Sequence, residues 1–144
     1  MNRFLIIITL LMIILCFTYA EDKTNNELTV IVYGIEGLKG QIAIGLFNNQ
    51  NDWIKDKQDY IALKIKVSGD TIFYTYKNIP KGIYAVALYH DENMNGILDF
   101  GLFYIPKEGY AFSNNVFGIL GPPKFEKASF LLDGKKTIQI EINY

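Results

Sequence analysis

From Leu28 onward the chain is written in short apolar runs of period two, each closed by a turn signal. That rhythm constrains the fold more than any other feature. Residues alternating in character line opposite faces of a strand, whereas a helical face needs a period near 3.6. Seven strands are predicted. They are Leu28–Tyr33, Gln41–Phe47, Tyr60–Val67, a strand lined by Ile72, Tyr74 and Tyr76, then Ile83–His90, Glu126–Leu132 and Lys136–Ile142. In the third, Ile61, Leu63, Ile65 and Val67 form one face and Ala62, Lys64 and Lys66 the other, which makes Lys64 a solvent-facing residue of a strand remote from the loops. Ile83–His90 is apolar on both faces, as a central strand requires. In the last strand Ile138, Ile140 and Ile142 point inward and Gln139 and Glu141 outward.

The turns have their own chemistry. Gly34–Gly40 holds three glycines, Ser68-Gly69-Asp70 and Asn78-Ile79-Pro80-Lys81-Gly82 are tight connections, and Asp133-Gly134 predicts a hairpin between the last two strands. Asn48–Asp59 is a polar connection around Trp53 with room for a helical turn. Seven short strands without sustained helical periodicity fit an all-β fold, an antiparallel two-sheet sandwich of immunoglobulin-like or transthyretin-like form. One stretch breaks the rhythm. Asp91–Phe125 has no strand signal, yet it carries Phe103, Tyr104, Tyr110, Phe112 and Phe117, so it reads as one long aromatic-rich loop that packs.

The first residues follow different rules. Arg3 precedes an apolar run from Phe4 to Phe17 broken only by Thr9, and Thr18-Tyr19-Ala20 places small residues three and one before Glu21. This is the layout of a signal peptide over residues 1–20, cleaved after Ala20. The domain order is then leader, a polar flexible lead-in over 21–27, and one β-sandwich domain over 28–144, in an exported protein that is periplasmic or extracellular. A membrane anchor is the competing reading, but a spanning helix needs roughly 20 apolar residues. Cys16 raises lipid attachment, against which stands Leu15, where a small residue is wanted. Cleavage leaves no integral span and no cysteine, so the domain cannot draw on disulfides. Removing Arg3 from the 14 basic residues leaves 13 against 15 acidic ones, scattered without a basic stripe, which argues against a nucleic-acid partner.

The most informative segment is Asp91-Glu92-Asn93-Met94-Asn95-Gly96-Ile97-Leu98-Asp99. Oxygen-bearing side chains at alternate positions on a curling backbone converge on one point, and calcium takes six to eight oxygens. Asp91, Asn93, Asn95 and Asp99, with Gly96 at the sharp turn and the Ile97 carbonyl, match positions one, three, five, nine, six and seven of an EF-hand-type loop. Position twelve is Leu102 where a bidentate Glu belongs, and a strand stands where a helix should precede the loop. The missing oxygen would come from Glu108, from a loop carbonyl or from water. With two carboxylates in the set, the expected affinity is of the order of 10⁻⁴–10⁻³ M. A metal-free polar turn is the alternative, since Asn95-Gly96 is itself a hairpin signal.

Catalytic signals are poor. His90 is the sole histidine, which excludes a His-based metal centre, and a triad would need it beside a residue such as Ser113 without a nucleophile-elbow motif. The chain therefore reads as a module and not an enzyme. The alternative function is a carbohydrate- or peptide-binding module using the aromatic loop 101–125, with Tyr104, Tyr110 and Phe112 as its surface.

These segments also carry a resemblance. Asn78-Ile79-Pro80-Lys81-Gly82-Ile83-Tyr84-Ala85-Val86, His90-Asp91-Glu92-Asn93 with Asn95-Gly96, Ile105-Pro106-Lys107-Glu108-Gly109-Tyr110, Phe112-Ser113-Asn114-Asn115 and Gly121-Pro122-Pro123-Lys124-Phe125 together resemble the bacterial domain-of-unknown-function 2141 family. The resemblance implies an exported protein and supplies no catalytic residue. Pro80-Lys81-Gly82-Ile83-Tyr84 is more distantly similar to the strand starts of transthyretin-like and collagen-adhesin B-type sandwiches, which bears on fold alone.

Overall fold

The computed structural model describes residues 25–55, 57–119 and 121–144. The expected leader, its cleavage site and Cys16 lie outside the described residues. Among the described residues eight strands form two sheets: β1 (Glu27–Tyr33), β2 (Gln41–Phe47), β3 (Ile61–Lys66), β4 (Thr71–Lys77), β5 (Gly82–Asp91), β6 (Tyr110–Phe112), β7 (Phe130–Leu132) and β8 (Lys135–Glu141). The first sheet has the order β4-β1-β8. The second runs β3-β2-β5-β6, with β7 also paired to β5. Among the described residues no helix is long and apolar enough to cross a membrane.

The inward faces follow the alternation of the sequence. Leu28, Val30 and Val32 of β1, Ile42, Ile44 and Leu46 of β2, Tyr84, Val86 and Leu88 of β5 and Ile140 of β8 are buried in one cluster between the sheets. Ile61, Leu63 and Ile65 pack against it from the edge strand β3, and Ile138 from β8. Burying these aliphatic side chains stabilises the fold by about 1.5–3 kcal/mol each. As expected, β5 is the central strand, flanked by β2 on one side and by β6 and β7 in series on the other.

Three expectations are corrected. Residues 110–112 form a strand, paired with Ala87–Tyr89, so the long loop is interrupted and the count is eight. Phe125–Ala128 is a single helical turn and not the start of a strand, so only Phe130–Leu132 remains extended. Its Phe125 and Ala128 join Phe47, Ala85 and Phe112 in a second apolar cluster, closed by Trp53, on the face of β5 away from the main core. Finally, Asp133-Gly134 does not make a hairpin. It carries the chain from β7, beside β5 in one sheet, to β8, which lies parallel to β1 in the other. The pairing is therefore not antiparallel throughout. A two-residue turn fixes a reversal of direction, but the partner of each strand is chosen by the core.

That crossover is pinned from the lead-in. The buried Asn26 accepts the Gly134 N–H at 2.7 Å and donates to the Ile79 carbonyl at 3.1 Å. Within the segment read as a lead-in, Asn26 is buried and Glu27 opens β1. One buried side-chain polar atom has no protein partner among the described residues, the Tyr76 hydroxyl, whose titration is pushed up by burial first and by Tyr74 and Asp59 next. Leaving a buried donor unmatched costs roughly 1–3 kcal/mol. Tyr76→Phe is expected to stabilise the domain by about 1 kcal/mol. Chemical denaturation measures it, and a loss of stability would show that the hydroxyl is matched.

Candidate functional site

The ladder between β2 and β5 ends at the pair Gln41 and Asp91, and the 91–99 loop begins there. Asp91 is fully buried. One carboxylate oxygen accepts the Asn95 N–H at 2.9 Å, and the other accepts the Gly96 N–H at 2.9 Å and the Gln41 side-chain amide at 2.7 Å. The loop curls through left-handed backbone at Met94 (φ 60°) and Gly96 (φ 84°). Each Asn makes a local turn, since Asn93 Oδ1 accepts the Asn95 N–H and Asn95 Oδ1 accepts the Ile97 N–H. Those bonds fix which end of each amide is oxygen. The Nδ2 groups of both then reach the Asp99 carboxylate, at 2.6 Å from Asn93 and 3.1–3.2 Å from Asn95. The side chains of Asp91, Asn93, Asn95 and Asp99 and the backbone of Ile97 are therefore joined in one network.

Glu108, expected to add an oxygen to that centre, is placed differently. It is buried, and its two carboxylate oxygens accept the backbone N–H groups of Glu92 and Asp99, both at 3.0 Å. It clamps the two ends of the loop together. Asp91 and Glu108 are thus buried carboxylates held by neutral donors. Among the described residues the ion pair at this loop is Lys39–Glu92, at 2.9 Å, and it neutralises neither of them. No group of three or more His, Cys, Asp or Glu is gathered as a metal site among the described residues, and the oxygens here come from Asn as well as Asp.

Other strands complete the site, and local sequence gives no sign of them. Gly40 packs on the loop so closely that a Cβ there would lie 2.3 Å from the Asp91 carbonyl oxygen. Tyr89 donates its hydroxyl to the Gly96 carbonyl at 2.8 Å. Lys64 is not remote, because its ammonium lies 3.2 Å from where a Gly96 Cβ would stand. The register explains this. Lys64 pairs with Ala43 and Ala43 with Tyr89 across three strands, and the loop folds back along that row. Register is a property of strand pairing and leaves no trace in spacing along the chain.

His90 is fully buried beside the loop. Its Nε2 lies 2.8 Å from the Lys39 carbonyl, which only accepts, so Nε2 carries the proton. Nδ1 lies 2.7 Å from the Tyr144 hydroxyl, and that hydroxyl accepts the Glu36 N–H at 2.9 Å. Burial raises the Tyr144 hydroxyl above its ordinary value, and the Glu92 and Glu36 carboxylates add to the rise, against the pull of the Glu36 N–H. It stays protonated and able to donate. Ser113 is elsewhere engaged: its hydroxyl accepts from Val86 N–H at 2.8 Å and donates to the Ala128 carbonyl at 2.6 Å. The two are not brought together.

The aromatic surface does not assemble as expected either. Phe112 is buried in the second cluster, against Trp53, and Tyr110 packs edge-on to Phe112 and Phe117. Tyr104 alone of the three is fully open to solvent. A strand at 110–112 turns Phe112 to the sheet face that the Phe125 helix covers.

A family model described as an uncharacterized protein conserved in bacteria, domain of unknown function 2141, matches residues 30–140. The chain belongs to this family. The match takes in seven complete strands or nearly so, the 91–99 loop, the Glu108 clamp and the aromatic residues behind it. No curated protein and no solved structure matches the chain. Membership of the domain-of-unknown-function 2141 family thus fixes the domain's identity and assigns none of its residues a task.

Proposed function

We propose that this member of the domain-of-unknown-function 2141 family is an exported, non-catalytic sandwich module whose 91–99 loop takes up calcium weakly. One observation carries this reading. Asp91 and Glu108 are buried carboxylates holding one loop, Asp99 is a partly exposed carboxylate beside them, and their hydrogen bonds come from neutral N–H and amide groups. Neutral donors satisfy the oxygens but bring no counter-charge, and buried charge without a counter-charge is costly. A divalent cation among Asp91, Asn93, Asn95, Asp99 and the Ile97 carbonyl would supply it. It would displace the Asn93 and Asn95 amide contacts to Asp99, leaving Glu108 as the clamp. The layering into two sheets and the Pro80-Lys81-Gly82-Ile83-Tyr84 strand start support the immunoglobulin-like or transthyretin-like class. Thermal unfolding with calcium against chelator is the test, and a melting temperature that does not move overturns the reading.

Export rests on Arg3, the apolar run to Phe17 and Thr18-Tyr19-Ala20. N-terminal sequencing of the mature protein is expected to begin at Glu21. A lipid-bearing chain beginning at Cys16 would replace this with a tethered lipoprotein.

A further inference from the structure

Directly after Asp99 the chain leaves the sandwich as a narrow hairpin. Its legs are tied by the Lys107 N–H to the Asp99 carbonyl at 2.9 Å and the Gly101 N–H to the Ile105 carbonyl at 2.7 Å, with an isolated bridge between Phe100 and Pro106. Between the legs it turns through Phe103 and Tyr104, both left-handed at φ 62° and 58°. Aromatic residues are disfavoured there. The turn displays Leu102, Phe103, Tyr104 and Ile105 at 83%, 89%, 87% and 63% exposure, and none belongs to either apolar cluster. Four consecutive large apolar side chains held in water on a tied hairpin are not scattered surface hydrophobics.

We propose that this tip is a membrane-interface anchor that buries its apolar side chains at the headgroup boundary of an anionic bilayer. The tip is the end of a tied hairpin, and its four large side chains all stand exposed. A protein partner would need a cleft cut to its shape, whereas a fluid bilayer needs none. Leu102, Phe103 and Ile105 suit the acyl boundary, and Tyr104 suits the interface, where an aromatic ring with a polar end is favoured. Lys107, exposed on the returning leg, is placed for headgroup phosphate.

The base of the hairpin adds a charge condition, and this part rests on the calcium reading. Asp91, Asp99 and Glu108 stand at that base, and the nearby ion pair among the described residues is Lys39–Glu92. A bound divalent cation would add two positive charges there and lower the repulsion from anionic lipid.

The test is co-sedimentation of the processed protein with phosphatidylethanolamine–phosphatidylglycerol vesicles, in calcium and in chelator. Wild type is expected in the pellet, more in calcium. Leu102→Ser with Phe103→Ser should lower the bound fraction about tenfold, and Leu102→Trp should shift its emission to the blue on vesicles. These positions touch no core residue, and all variants share one N-terminus, so a difference belongs to the hairpin. Wild type that remains in the supernatant with its near-ultraviolet circular dichroism intact overturns the anchor. So does a dimer that the double substitution dissolves and that ignores vesicles, which would make the tip's partner a second copy. Binding that needs the tip but is equal in calcium and chelator keeps the anchor and removes its charge condition, while the melting temperature decides the calcium site. A calcium-raised melting temperature without vesicle binding keeps the calcium site and removes the anchor.

Discussion

In about 10 mM calcium the domain is expected to melt roughly 10 °C above its melting temperature in chelator at matched ionic strength. An ion that binds only the folded state stabilises it by RT ln(1 + [L]/Kd), about 2.7 kcal/mol at a hundredfold excess over Kd. The Kd used is ~10⁻⁴ M, the tight end for a site with few carboxylates in an extracellular module. For a domain of this size each kcal/mol moves the midpoint by about 4 °C. Magnesium should do less, because it demands a tighter octahedron and gives up water reluctantly. Asp91→Ala should abolish the calcium-dependent shift. It also lowers the baseline, since the Gly96 N–H and the Gln41 amide lose their acceptor and the Asn95 N–H is left with Asn93 Oδ1 alone. The informative quantity is therefore the difference between calcium and chelator within each variant. Lys77→Ala, exposed on β4 in the other sheet, should leave that difference unchanged. Lys64→Ala should enlarge it, because it removes a positive charge beside Gly96. Identical midpoints for wild type in calcium and in chelator would reduce the loop to a turn.

Much of this was readable along the chain, and what was not has a common cause. Period two placed β1, β2, β3, β4, β5 and β8 within a residue or two and put Ile140 and Ile142 inside, because side-chain alternation is a local property. Tyr110–Phe112 escaped notice as three residues are too few to show a period, and their pairing with Ala87–Tyr89 is decided by β5. Asp133-Gly134 signals a reversal equally well within a sheet or between sheets. The candidate site divides the same way. Its alternating oxygens sit within nine consecutive residues and are visible to inspection. Gln41, Gly40, Tyr89 and Lys64 reach it by strand register, and Glu108 by a hairpin that returns beside Asp99. A motif reports the groups that chemistry needs in sequence. The groups that hold it in place come from whatever the fold sets alongside.

Gly40 makes that dependence measurable. Gly40→Ala is expected to cost about 2–5 kcal/mol. The left-handed backbone at φ 70° costs any side chain roughly 1–2 kcal/mol. The remainder, about 1–3 kcal/mol, comes from forcing atoms into filled space. A Cβ would stand 2.3 Å from the Asp91 carbonyl oxygen and 2.6 Å from the Glu92 Cα, and both are backbone, so no side chain can swing aside. Gly134→Ala separates the two contributions. Gly134 has a similar left-handed conformation, φ 85°, with nothing within 4 Å of its Cβ position, so its substitution should show the backbone cost alone. The excess of the first over the second measures how tightly the β1–β2 connection presses on the start of the loop. Because that pressure falls on Asp91 itself, Gly40→Ala should also shrink the calcium-dependent shift, while Gly134→Ala should preserve it. Equal losses for the two alanines in equilibrium denaturation would mean that the Gly40 contact is not needed, and that Asp91 is held by its three hydrogen bonds alone.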